Sequence, residues 1–168
     1  MVNTAKPRFV ARTVDPQHVT ALQQEGISPG MARILAGRGI ETAESLVYDL
    51  RKAIPVSKLT NAEKMAKHLA DKIQAGHKFL LVADYDSDGA TSCAIGIRAM
   101  RAFGANIEFM VPNRFVHGYG LTPEIIQEVI AKGEKPDCIL TVDNGVASVA
   151  GVAEANKNGI KVLVTDHH

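Results

Sequence analysis

The segment Phe79-Leu80-Leu81-Val82-Ala83-Asp84-Tyr85-Asp86-Ser87-Asp88-Gly89-Ala90-Thr91 shows the alternation on which the whole fold is built. Its first five residues are continuously apolar, too short for a helix and suited to a strand buried on both faces. An acidic turn ends the strand, and Ala90 to Phe103 then reads as a helix stopped by Gly104. Outward from there the same alternation repeats. Ile107 to Val111 and Cys138 to Val142 are the next strands, and Lys161 to Thr165 is the fourth. Between them, Thr122 with Pro123 at the first helical position opens a helix running to Ala131, and Ala147 to Asn158 is another. Strand and helix alternating through short loops predict an α/β fold, a parallel sheet with flanking helices and right-handed crossovers.

Upstream the texture is helical, so the expected organisation is a helical segment over 1–76 followed by the α/β domain over 77–168. Ser28 to Gly39 and Glu41 to Leu50 read as two short helices. Thr60-Asn61-Ala62-Glu63 reads as a capping box for a third, in which Met65, Leu69 and Ile73 recur every four residues up to Gly76. The Gly37-Arg38-Gly39 turn admits a DNA-binding helix pair, although a small packing subdomain is the simpler expectation.

Composition excludes several classes. In 168 residues, 46% are hydrophobic and 22% charged, an ordinary globular balance. No apolar run approaches the ~20 residues of a membrane span. Basic residues in Met1 to Arg12 are followed by no apolar segment of the secretory kind. Cys93 and Cys138 lie in apolar runs and read as buried free thiols, as expected of a protein in a reducing cytoplasm. The net charge of +1 hides an asymmetry: Met1–Lys78 carries 12 Lys and Arg against 7 Asp and Glu, whereas Phe79–His168 carries 7 against 11. A polyanion-contacting arm beside a metal-binding domain would show this pattern, and so would chance scatter of surface charge.

The strand ends carry the chemistry. Ligands of open parallel sheets bind outside the carboxyl ends of the strands. Three of the four strands here run into acidic residues: Asp84, Asp86 and Asp88; Asp143 followed by Asn144; and Asp166 followed by His167 and His168. The second runs into Pro112-Asn113-Arg114-Phe115-Val116-His117-Gly118-Tyr119-Gly120. Carboxylates gathered on one rim repel one another unless cations lie between them. Carboxylates mixed with imidazoles suit Mn²⁺ or Zn²⁺ better than Ca²⁺. An EF-hand is excluded because its twelfth position is Ile95 rather than Glu, and because a strand precedes the loop. A phospho-receiver domain would not call for adjacent histidines. Asp88 also suits a helix cap, His117 an exposed position, and His68 and His77 solvated or packing positions.

These four loops, in this order and at these spacings, resemble the successive motifs of the DHH phosphoesterase family, whose Asp-His-His run corresponds to Asp166, His167 and His168. The loop from Val111 to Leu121 resembles the RecJ branch of that family, the exonucleases that degrade single-stranded DNA from the 5′ end. The resemblance implies two Mn²⁺-type ions, with Mg²⁺ as the alternative. Asp84 would hold one ion and Asp86 the other, Asp143 would bridge them, and His167 would complete the second site. It implies catalytic roles for His168 at the scissile phosphate and for Asp166 and Asp88 around it, with Asp166 and Asn144 supporting the ligands. Substrate contacts would come from Arg114 as a phosphate clamp, Asn113, Asn144, the Gly118 backbone and Tyr119, which would stack on a base or pack beneath its loop. Single-stranded DNA is the implied partner, with repair and recombination proteins beside it. Two departures accompany the resemblance. Val82 stands where some relatives carry a His, and the motifs that follow Asp-His-His in the family are not in this sequence, so this chain by itself is expected to be weakly active at best. Two alternatives stand beside the exonuclease: a phosphoesterase of the same family acting on short oligonucleotides or cyclic dinucleotides, and a non-catalytic metal- or nucleotide-binding module.

Overall fold

Alternate residues of the two central strands face opposite layers, which is why Phe79 to Ala83 and Cys138 to Leu140 are unbroken apolar runs. In the computed structural model, which describes residues 10–133 and 135–168, the strands are β1 (Lys78–Ala83), β2 (Asn106–Met110), β3 (Cys138–Val142) and β4 (Lys161–Thr165). They form one sheet in the order β2-β1-β3-β4, and all three pairings are parallel. Helices are α1 (Pro16–Gln24), α2 (Pro29–Ala36), α3 (Ala62–Gln74), α4 (Ser87–Ala102), α5 (Arg114–His117), α6 (Pro123–Ala131) and α7 (Val149–Lys157). Phe79, Leu81 and Ala83 of β1 and Cys138, Leu140 and Val142 of β3 pack with Cys93, Ile97 and Met100 of α4. Met65, Leu69 and Ile73 of α3 complete that layer. Val82 and Ile139 face the other way, onto Ile125, Ile126 and Val129 of α6 and Ala155 of α7.

One compact unit ends at Pro55 and a second spans Val56–His168. Compaction therefore divides the chain earlier than the expected boundary at residue 76, because the apolar face of α3 belongs to the sheet's core. The first unit has its own small core of Leu22, Ala32 and Ala36. The first nine residues, including most of the basic N-terminal stretch, lie outside the described residues.

Several expectations are corrected. Glu41–Leu50 is not a helix: it holds a 3₁₀ turn at Ala43–Leu46, and a second turn begins at Leu50. Asp49 accepts the Arg51 backbone N–H at 2.9 Å, a local bond that competes with helix continuation. The capping box does not form either. Asn61, not Thr60, precedes α3, in a left-handed conformation (φ 60°) and with no side-chain cap. Helix α4 begins at Ser87 rather than Ala90, because Asp86 caps it by accepting the Gly89 N–H at 3.5 Å; Asp88 sits in the first turn. The one-turn α5, capped by Asn113, was not expected.

Gly96, within α4, lies against β1: a Cβ there would come 2.6 Å from Leu81 Cδ1. Alanine gains roughly 1 kcal/mol of helix propensity over glycine, while overpacking costs about 1–3 kcal/mol. The obstructing atom is the end of a flexible side chain, so Gly96→Ala should destabilise by no more than about 1.5 kcal/mol, as measured by denaturant unfolding.

Candidate metal centre

In the order β2-β1-β3-β4 the chain leaves β1 in one direction and reaches β3 in the other, so the sheet's switch point lies between the ends of β1 and β3. Ala83 pairs with Val142, and the next residues on the two strands are Asp84 and Asp143. Both carboxylates are buried, each residue 7% exposed. Asp143 has a positive φ of 61°, which turns the chain sharply as it leaves β3. Behind it, Asn144 is 2% exposed and donates from its amide to Val82 O (3.1 Å) and Val142 O (2.9 Å), tying the two strand ends together.

Arg114, brought in by α5, faces this acidic pair. Its Nε and Nη2 reach both oxygens of Asp84, at 3.2 and 2.5 Å, and Nη2 also reaches Asp86 Oδ2 at 3.2 Å. The guanidinium lies 5.3 Å from the Tyr85 ring centre and 5.5 Å from that of Tyr119. The Tyr85 N–H donates to Asp84 Oδ1 at 2.7 Å. No sequence expectation assigns Tyr85 a role, and its place between two site aspartates in Asp84-Tyr85-Asp86 is the signal that points to one.

The third side of the site follows β4. Asp166 accepts the Val146 N–H (2.9 Å) on one oxygen and the His167 and His168 N–H groups (2.7 and 3.1 Å) on the other. His168 Nδ1 is 2.6 Å from the same carboxylate and 3.1 Å from the Tyr119 hydroxyl. Burial acts to raise the Asp166 pKa, but the bonds from Val146, His168 and His167 outweigh it and hold the carboxyl at about 2. The bond to Asp166 is also the main cause that raises the His168 pKa above its ordinary 6.5. The two shifts have opposite consequences. The Asp166 contribution to stability is full above pH 3.8 and lost as pH falls through about 2. That of His168 is full below pH 6.5 and lost as pH rises through its folded value. The pair is therefore firmest between roughly pH 4 and 6.5. Asp166→Asn should return the His168 pKa towards 6.5 in an NMR titration; an unchanged value would contradict the assigned cause.

The structure thus brings Asp84, Asp86, Asp88, Arg114, Tyr119, Asp143, His167 and His168 to one rim. His167 Nε2 lies 2.8 Å from Asp143 Oδ1 and 3.7 Å from Asp88 Oδ2. Other expectations change. Asn144 is too deeply buried, with both amide donors spent on backbone, to present itself to substrate. Asp166 has a side chain 3% exposed and turned onto the chain's own donors, so it positions His168 rather than facing the cleft. Asn113 accepts the Phe115 N–H at 3.0 Å and caps α5. Tyr119 neither lies under its loop nor stands free, since its hydroxyl is bonded to His168. His117 is not exposed: its side chain is 15% exposed and pairs with Glu128 at 2.9 Å. Gly118 has open space around it and a φ of 74°.

Two sets of ligand atoms converge, each within 4.8 Å: one from Asp84, Asp86 and Asp143, the other from Asp143, His167 and His168. Asp143 belongs to both. Asp84 and Asp86 fall in the same set, and His168 joins His167, where the resemblance divided the aspartates and set His168 aside. Asp143 Oδ1 is buried and receives no hydrogen bond, its 2.8 Å approach to His167 lacking the alignment. A buried anionic oxygen without a donor, among further carboxylates and an imidazole, fits a cation.

A family profile described as "DHH family, N-terminal domain" matches residues 78–168, more than half of the sequence. The chain belongs to the DHH family. Among curated DHH-family relatives, the single-stranded-DNA-specific exonuclease RecJ of Escherichia coli (strain K12) is 42% identical over 143 residues, covering 84% of this chain and 24% of the relative. That of Salmonella typhimurium is 41% identical over 150 residues, covering 89% and 26%. This chain thus spans about a quarter of the length of those relatives. A crystal structure of exonuclease RecJ bound to manganese superposes with a TM-score of 0.61 at 34% identity, over 69% of this chain and 29% of that one. RecJ of Thermus thermophilus in complex with Mn²⁺ gives 0.57 at 27% identity, over 95% and 22%. The expected parallel α/β architecture and the family both hold. Both cysteines are buried and free, and burial pushes the Cys138 thiol up to about 11. Among the described residues no helix is long and apolar enough to cross a membrane.

Proposed function

We propose that this chain carries a two-metal phosphodiesterase centre and belongs to a single-strand-specific DNA exonuclease working in the 5′→3′ direction, in repair and recombination. The observation that carries the reading is the pair of ligand sets sharing Asp143, with a buried oxygen that no hydrogen bond satisfies. Likeness to the RecJ exonucleases supports the choice of substrate, and the manganese in two similar structures supports Mn²⁺ as the ion.

Asp84, Asp86 and Asp143 would hold one ion, and Asp143, His167 and His168 the other. When bound, such a pair lowers the pKa of water and offsets charge on the entering and leaving oxygens of a phosphodiester. The chain's own groups do the rest. Burial of Asp84 and Asp143 keeps bulk water from screening them. Asp166 and Tyr119 hold the His168 ring in one orientation. Arg114 offers a planar fork that matches two phosphate oxygens. The open space at Gly118 lets a nucleotide approach the backbone.

The test is release of 5′-terminal mononucleotides from long single-stranded DNA by the full-length protein, with and without Mn²⁺. Activity on the long strand that exceeds activity on dinucleotides is the expected result. Preference for dinucleotides would favour a short-oligonucleotide or cyclic-dinucleotide phosphoesterase, and binding of DNA without turnover a non-catalytic module.

A further inference from the structure

Arg114 occupies the same oxygens that a cation would need. Its Nε and Nη2 engage both oxygens of Asp84, and Nη2 extends to Asp86 Oδ2. Two of the three carboxylates in one ligand set are therefore already paired with a guanidinium. Asp84 Oδ1 has a further donor in the Tyr85 N–H. An ion binding both carboxylates cannot share them with the full fork. Nor can pH clear the way, because arginine stays protonated throughout the physiological range. The side chain has somewhere to go: it is 37% exposed, and its guanidinium lies close to both the Tyr85 and Tyr119 rings, whose faces favour a cation.

We infer that Arg114 competes with the cation for Asp84 and Asp86, so that filling this site releases the guanidinium to take a substrate phosphate. The inference rests on the metal-centre reading and adds a regulation to it: ion binding and phosphate binding reinforce each other through one side chain. Thermodynamic linkage makes the effect reciprocal, so phosphate bound to Arg114 tightens the ion by the same factor that the ion tightens the phosphate.

The experiment is Mn²⁺ titration of the full-length protein, following free Mn²⁺ by electron paramagnetic resonance, in wild type, Arg114→Met and Arg114→Lys. Methionine keeps an unbranched apolar stem without charge or fork, and lysine keeps charge without the fork. Charge-assisted contacts of this kind correspond to roughly a tenfold or greater change in affinity. Arg114→Met should therefore bind one of two Mn²⁺ ions at least about tenfold more tightly than wild type, with the second ion little changed and Arg114→Lys between the two. A second arm adds a phosphorothioate-linked single-stranded oligonucleotide that resists cleavage. It should tighten Mn²⁺ in wild type and fail to do so in Arg114→Met. Unchanged or weaker Mn²⁺ binding in Arg114→Met overturns the inference. So does an equal gain at both ions, the mark of a charge acting only through space. If neither wild type nor the variants bind Mn²⁺, the metal-centre reading itself falls, a result distinguishable from the other two.

Discussion

On the proposed function, Asp143→Asn should lower hydrolysis of single-stranded DNA by at least about 10³-fold, since Asp143 is common to both ligand sets and metal assistance of that kind is worth several kcal/mol at the transition state. Asparagine is the informative replacement. Asp143 adopts a φ of 61°, a left-handed conformation that Asn tolerates and Ala does not. An alanine variant would mix loss of the carboxylate with backbone strain, whereas asparagine removes the charge and keeps the turn. The melting temperature without metal should stay close to wild type, and Mn²⁺ titration should show weakened binding of both ions. Full activity in Asp143→Asn would sink the metal assignment.

Gly89→Ala should damage both fold and site. A Cβ at position 89 would lie 2.4 Å from the Asp84 carbonyl oxygen and 2.6 Å from its carbon. These are backbone atoms at the end of β1 and cannot step aside as the Leu81 methyl can for Gly96. The first turn of α4 thus rests directly on the peptide that carries Asp84. A gain of roughly 1 kcal/mol in helix propensity cannot offset a clash that moves either α4 or Asp84. We expect destabilisation on the order of 3 kcal/mol together with weakened Mn²⁺ binding. Thermal unfolding and Mn²⁺ titration check the two effects separately. A variant with wild-type stability and metal affinity would show that the close approach is not needed.

These two substitutions also mark where sequence reasoning reaches and where it stops. In Asp84-Tyr85-Asp86-Ser87-Asp88-Gly89 the acidic residues at a strand end were legible as ligands, because like charges at that spacing call for a cation. That Gly89 is required by contact with the Asp84 peptide was not legible, since two atoms five residues apart approach only after strand and helix have packed. The N-terminal segment shows the same limit in reverse. Glu41–Leu50 has helical composition, but Asp49 satisfies a backbone donor locally and holds the segment to short 3₁₀ turns.

Four strands, their parallel pairing, the family and the loops that meet at one rim are all legible in the order of residues. The strands, their pairing and the rim follow from apolar runs, local start and stop signals and the spacing of charged residues along the chain, and the family follows from the likeness of four loop motifs to those of known members. Packing alone settles how the rim is divided. It sank Asn144 behind the strands, turned Asp166 inward to hold His168, bonded Tyr119 to that same ring, and set Arg114 on the Asp84 and Asp86 carboxylates. Those assignments depend on burial, on distances between residues as far as 62 positions apart, and on which of several donors reaches a given oxygen. The order of residues along a chain does not encode such distances until β1 and β3 lie side by side.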